Sequence, residues 1–200
     1  RELALYRVAA AAEMEQVLAQ MKNSTARMSD LVNAMKDYSY MDHAAATEID
    51  INNNLETTLT LFSFRFKSTI RLIKIYASNL PKIQGHGGQL NQVWTNLIDN
   101  ALDAMEAQEN RTEPGQLWVS TRRELEEIVV EISDNGPGIP EDVAAKVFDP
   151  FFTTKPQGEG TGLGLDTVYR VIRQHNGGIR FDSVPGKTTF SVRLPIDAQS

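Results

Sequence analysis

Asn96-Leu97-Ile98-Asp99-Asn100-Ala101 decides how this chain is read, because it sets two carboxamides four residues apart in an otherwise apolar helical stretch. From Gly87 or Gly88 to about Gln108, the residues Leu90, Val93, Leu97, Ile98, Ala101 and Met105 recur with helical period and turn inward. Residues four apart share a helix face, so Asn96 and Asn100 project to the same side. A carboxamide oxygen is a hard neutral ligand suited to Mg²⁺, an ion that keeps several waters and takes further ligands from substrate phosphates. Asn100 is the candidate metal ligand; two solvated or capping amides would satisfy the same spacing.

Three segments follow in order. Asp134 ends a run whose Ile128, Val130 and Ile132 are apolar, so its carboxylate is carried into or beside the core, where it needs donors. The exocyclic amine of adenine is one such donor, and Gly136 and Gly138 let the backbone pass close to a flat ring. An ordinary Asp-Asn-Gly turn has the same composition. Gly158, Gly160, Gly162 and Gly164 alternate, with Thr161 among them, and lead straight into the apolar positions Leu165, Val168, Val171 and Ile172 of a helix. Such a run wraps phosphates with backbone amides and delivers them to a helix N-terminus; a flexible linker is the alternative. Between these lies Phe148-Asp149-Pro150-Phe151-Phe152-Thr153-Thr154-Lys155, whose aromatics suit core packing or a hinge that seats the loop. Lys155 offers a positive charge beside it.

In this order, Asn96 to Ala101, Asp134-Asn135-Gly136-Pro137-Gly138-Ile139-Pro140, Val147 to Lys155 and Gly160-Thr161-Gly162-Leu163-Gly164-Leu165 resemble the N, G1, F and G2 boxes of sensor histidine kinases. The resemblance covers about Glu48 to Pro195. It implies an α/β (α+β) two-layer sandwich, a mixed sheet packed under three helices, that binds ATP and Mg²⁺ beneath a lid. Residue by residue it implies Asn100 as the metal ligand and Asn96 as its neighbour, with Asp103 one turn further on. Asp134 becomes the reader of adenine, with Gly136, Gly138 and Ile139 in the base-side turn. Phe148, Thr154 and Lys155 belong to the F box, and Gly160, Thr161, Gly162, Leu163 and Gly164 to the lid. Thr188 matches a hydroxyl near the base, although Gly186-Lys187-Thr188 departs from the usual Gly-Thr pair.

The resemblance also separates two chemistries. In the related gyrase, chaperone and mismatch-repair ATPases the position of Asn96 is usually a glutamate that activates water. A carboxamide takes no proton at neutral pH, which favours transfer to a protein side chain, with Asn96, Asn100 and Lys155 as the catalytic set. An acceptor histidine followed by an acid is expected on a dimeric helical hairpin. His43, His86 and His175 lack those surroundings and read as surface or capping residues. The acceptor is therefore expected upstream of Arg1, in a two-component kinase with a response regulator as partner. A stand-alone ATPase of the same superfamily and a non-catalytic nucleotide-sensing scaffold are the alternatives.

Toward the N-terminus, residues 1–80 contain neither Gly nor Pro. Met14, Val17, Met21, Met28, Leu31, Met35 and Tyr38 step by three and four, with one slot filled by Ser24, so Arg1 to about Asp42 reads as one long amphipathic helix. Its narrow stripe pairs with another helix or a second chain, or lies on its own domain. The resemblance makes residues 1–44 the end of a dimerisation helix and 45–200 the catalytic domain, so a homodimer is expected. A strand at Glu48 to Ile51 and a helix from Asn53 to Phe66, capped by Asn52 or Asn53, come next. Thr69 to Tyr76 is apolar on both faces and reads as a central strand. Strands at Gln116 to Arg123 and Ile128 to Ser133, helices at Val143 to Val147 and Gly164 to Gln174, and a hairpin from Gly178 to Leu194 complete the pattern.

Composition bounds the rest. The 200 residues are 41% hydrophobic with a formal charge of −6, which argues against a general nucleic-acid surface. No apolar run is long enough to cross a bilayer. The absence of cysteine rules out disulfides and fits the cytosol. The segment is expected to be cytoplasmic, without membrane contact of its own, in a parent protein that can itself be membrane-anchored.

Overall fold

The computed structural model describes residues 46–66, 70–108, 111, 113–155 and 161–196, together with Met14 and Met21. The long helix expected before residue 44, His43, Gly158 and Gly160 lie outside the described residues, apart from Met14 and Met21, which are helical.

Short strand β1 (Thr47–Ile49) leads into helix α1 (Ile51–Leu61). The helix starts two residues earlier than the asparagines indicate, because Asp50 is the N-cap and its side chain accepts from the Asn53 amide at 3.0 Å. The asparagines serve elsewhere. Asn52 donates to the Ala77 carbonyl and accepts from the Thr121 hydroxyl, and Asn54 donates to the Gly87 carbonyl. The helix closes at Leu61, short of Phe66, where turn-type bonds Phe62 N–H to Leu59 O and Ser63 N–H to Thr60 O tighten its end.

Strands β2 (Ile70–Tyr76) and β3 (Ile83–Gly85) precede the long helix α2 (Gly87–Glu106). Then come β4 (Gly115–Glu124), β5 (Glu127–Asp134), the short α3 (Glu141–Ala144), α4 (Gly164–Gln174), β6 (Gly178–Val184) and β7 (Lys187–Pro195). The main sheet runs β2-β4-β5-β7-β6, parallel between β2 and β4 and antiparallel elsewhere. It is mixed, as expected, and α1, α2 and α4 cover one face. α3 begins at Glu141 instead of Val143, since Pro140 occupies its N-cap and two acids fill its first turn.

One expectation is overturned. β2 is an edge strand, not a central one. Its second apolar face consists of Ile73, beside Trp118, and Ile75, which is 60% exposed; on the helix side Lys74 reaches Glu56 at 2.8 Å. β3 was not foreseen: it pairs antiparallel with β1 and buries Ile83 against the core.

Between α1 and α2 a buried polar link sits inside the apolar layer. The Trp94 indole donates to Asn54 Oδ1 at 2.7 Å, and Thr58 donates to Asn91 at 3.3 Å. Replacing Asn54 with Ala leaves the fully buried Trp94 N–H without that acceptor. The expected loss is about 2 kcal/mol of unfolding free energy in urea denaturation; an unchanged midpoint would show the link to be dispensable.

Candidate functional site

One flank of α2 runs between the two ends of the candidate site. Asn96, Asn100 and Ala104 follow at intervals of four and share a face, with both asparagines half-buried. At the first end, a Cβ placed on Gly164, the first residue of α4, would lie 3.6 Å from Asn96 Oδ1. At the other, a Cβ on Gly136 would lie 3.3 Å from the Ala104 Cβ and 2.6 Å from Asp134 Oδ1. Eight residues of helix separate the two ends by about 12 Å. The folded chain thus sets Asn96 beside the glycine loop, Asp134 at the opposite end and Asn100 between them.

Asp134 closes β5, 4% exposed, on the helix-facing side with Ile128, Val130 and Ile132. Among the described residues, the Gly136 N–H, at 2.8 Å from Oδ1, is the donor that reaches it. Burial pushes its carboxyl up to about 6, against that hydrogen bond and the Arg111 charge. An ionised carboxylate accepts at two oxygens, so a second donor is wanted here, and an exocyclic amine fits.

The turn after Asp134 is held from two sides. Arg111 donates to the Asn135 carbonyl at 2.7 Å and to the Met105 carbonyl at 3.3 Å, fastening the turn to the end of α2. Gly138, at φ 88°, lies so close to the β6–β7 hairpin that a Cβ would sit 2.6 Å from the Val184 carbonyl oxygen. The Ile139 N–H donates to Ser183 Oγ at 2.7 Å, and Ser183 meets the Thr188 hydroxyl at 3.0 Å. Thr188 is buried and stands directly opposite Asp134 across the β5–β7 ladder. The hydroxyl and the carboxylate therefore share one end of the sheet.

In the aromatic segment, Phe148 packs with Tyr169, Phe181 and Phe190, with ring centroids 5.9 to 6.5 Å apart, so its ring serves the core. Phe151 is 75% exposed and holds a left-handed backbone at φ 67°. Gly162, at φ 65°, rests on the Phe151 backbone: a Cβ there would meet its carbonyl carbon at 2.3 Å. The contact is backbone on backbone, so the expected hydrophobic hinge is replaced by core packing of Phe148 and a backbone seat for Gly162 at Phe151. Thr154, Thr161 and Leu163 are exposed, with Thr161 Oγ1 accepting from the Leu163 amide at 3.4 Å.

Asp103 and Lys155 meet directly, the ammonium on Asp103 Oδ2, while Arg65 takes Oδ1 at 2.7 Å. Burial alone would raise the Asp103 carboxyl, but Lys155 and Arg65 outweigh it and hold it below the ordinary carboxylate range. Neither Arg65, Arg111 nor Ser183 carries a sequence signal, since each works through a partner distant in the chain. His86 holds the N-cap position of α2 and His175, buried, the C-cap position of α4, so both are capping residues. The His175 Nδ1 faces the Val171 carbonyl at 2.8 Å and its Nε2 accepts from the His86 amide at 3.0 Å. Burial lowers its pKa.

Residues 85–198 match the family described as histidine kinase-, DNA gyrase B-, and HSP90-like ATPase. The chain belongs to this family. Within this ATPase family it is similar to the sensory histidine kinase/phosphatase NtrB of Azospirillum brasilense, at 36% identity over 85% of this chain and 44% of that protein. It is also similar to the sensor histidine kinase ZraS of Escherichia coli, at 31% identity over 96% of this chain and 40% of ZraS. The chain spans less than half the length of these two relatives. The nucleotide-free catalytic domain of the histidine kinase ThkA superposes with a TM-score of 0.66 at 27% identity, over 76% of this chain and 97% of that one. Full-length ShkA in complex with AMPPNP gives 0.65 at 25% identity, over 85% of this chain and 36% of ShkA. The fold is that of an ATP-binding catalytic domain of the sensor histidine kinase type.

The raised Asp134 carboxyl has a thermodynamic signature. With a folded value near 6 against an ordinary value near 3.8, its favourable contribution is complete below about pH 4 and is lost as pH rises through 6. An Asp134→Asn variant escapes that loss. Its unfolding free energy relative to the wild type should rise by about 2.5 kcal/mol between pH 4 and pH 8 in urea titrations. A difference that stays flat with pH would show the carboxylate to be unstrained.

Proposed function

We propose that this chain is the ATP-binding catalytic portion of a two-component sensor histidine kinase. It transfers the γ-phosphoryl group of ATP to a histidine outside the catalytic domain, for passage to a response regulator. The observation that carries this reading is Asn96 beside Gly164, a carboxamide where hydrolysis would want a base. The acids nearest in sequence, Asp99 and Asp103, are engaged by Arg65 and Lys155. A positioned acceptor is then favoured over water.

The residues fit their ligands. Asp134 accepts from the adenine amine, with Thr188 beside it, and the turn from Gly136 to Ile139 borders the ring. Asn100, a neutral oxygen donor midway along the α2 flank, would hold Mg²⁺, which would supply charge neutralisation at the phosphates. Asn96 orients groups at the loop end, Lys155 supplies positive charge, and the amides from Thr161 to Gly164 face the phosphates. Positioning and charge neutralisation are the tasks of all these groups. A homodimer formed through the N-terminal helix is part of the proposal, and the exposed Met14 and Met21, one heptad apart, agree with it.

Calorimetric titration with the nonhydrolysable analogue AMPPNP should show Mg²⁺-dependent binding. Asn100→Ala should weaken it by about tenfold or more through loss of the metal ligand. In the longer parent protein, γ-labelled ATP should leave an acid-labile label. Binding indifferent to Mg²⁺ would defeat the proposal.

A further inference from the structure

Arg65 stands just past the end of α1, outside every recognised motif, yet three acids of α2 converge on its guanidinium. Its side chain is 16% exposed and reaches Asp99 at 2.6 Å, Asp103 at 2.7 Å and Glu106 at 2.7 Å. These acids are spaced by four and three, a ridge of α2 next to the Asn96, Asn100 and Ala104 flank. Asp103 is shared: Oδ1 takes Arg65 and Oδ2 takes Lys155. One carboxylate thus holds two cations, one from the body of the domain and one from the segment that enters the glycine loop.

We propose that Arg65 is a positioning residue for Lys155, acting through Asp103, and that it releases the Lys155 ammonium to the triphosphate of a bound nucleotide. The proposal rests on the reading of the candidate site as an ATP site. When Lys155 turns to the phosphates, Asp103 is left half-buried, between Asp99 and Glu106 on the helix and near an anionic ligand. An unpaired carboxylate there is costly. With Arg65 in place the charge stays matched, so the lysine departs at small cost. Without Arg65, Lys155 is the cation that remains on Asp103, and it is retained against α2. The planar fork explains the residue type, since Nη1 serves Asp99, Nη2 serves Asp103 and Glu106, and Nε adds a second bond to Glu106.

The test is a set of AMPPNP titrations with Mg²⁺ on the whole chain. Arg65→Met should weaken binding by about five- to tenfold, and the loss should vanish when Lys155→Met is already present. Adding Asp103→Asn to Arg65→Met should restore most of the affinity, because the lysine is no longer held; a merely structural role for Arg65 would not be rescued so. A loss of equal size with and without Lys155, or no loss, overturns the proposal. If Arg65→Met does not melt cooperatively, Asp103→Asn alone decides: binding as tight as the wild type or tighter supports the proposal, and weaker binding overturns it. Absence of AMPPNP binding by the wild type would instead overturn the ATP reading on which the proposal rests.

Discussion

Rotation of α2 about its own axis is blocked by what its inner face buries. Leu90, Val93, Trp94, Leu97, Ile98 and Leu102 are closed off almost completely against the sheet and the neighbouring helices. Each such side chain is worth roughly 1.5–3 kcal/mol of burial, so turning the helix by one residue, about 100°, would forfeit several of them at once. The Trp94 bond to Asn54 fixes the same register by direction instead of area. Polar groups on the flank, Asn96 and Asn100 above all, inherit their direction from this apolar lock and need few contacts of their own.

The two ends of this helix flank are built on different physics. At the Asp134 end the parts are rigid and mutually constrained: a ladder position opposite Thr188, a turn tied to α2 by Arg111, and a backbone too close to the hairpin for a side chain. The carboxylate is held there against the cost of its burial, with the Gly136 N–H as its donor among the described residues. The Asn96 end borders a loop whose seat is backbone on backbone, Gly162 against Phe151, while its cation is stored on Asp103. On the proposed function, recognition of the base and handling of the phosphates would fall to separate pieces of the domain, joined by one helix flank.

Where the pattern was local, the sequence was readable. The inward positions of α2 and the bounds of α4 follow from helical period, and the buried aspartate from three alternating apolar neighbours. Errors arose where a residue type has two uses. Asn52 and Asn53 look like caps, but Asp50 takes that role and Asn52 crosses to Ala77 and Thr121. β2 looks central because Ile73 and Ile75 are apolar, although nothing in their alternation tells whether a strand pairs on each side. β3 is too short to show a period, and Arg65 becomes significant only once α1 has folded against α2.

The contact of Gly138 with the Val184 carbonyl has a consequence for the β6–β7 connection. Surface hairpin tips ordinarily accept inserted residues and lengthened loops. Here Ser183 and Val184 grip the turn that follows Asp134, and only Pro185 and Gly186 separate the two strands. A loop that looks peripheral is thus a gauge block for the turn after Asp134: lengthening it would shift that turn, so tags and domain fusions belong elsewhere on the chain.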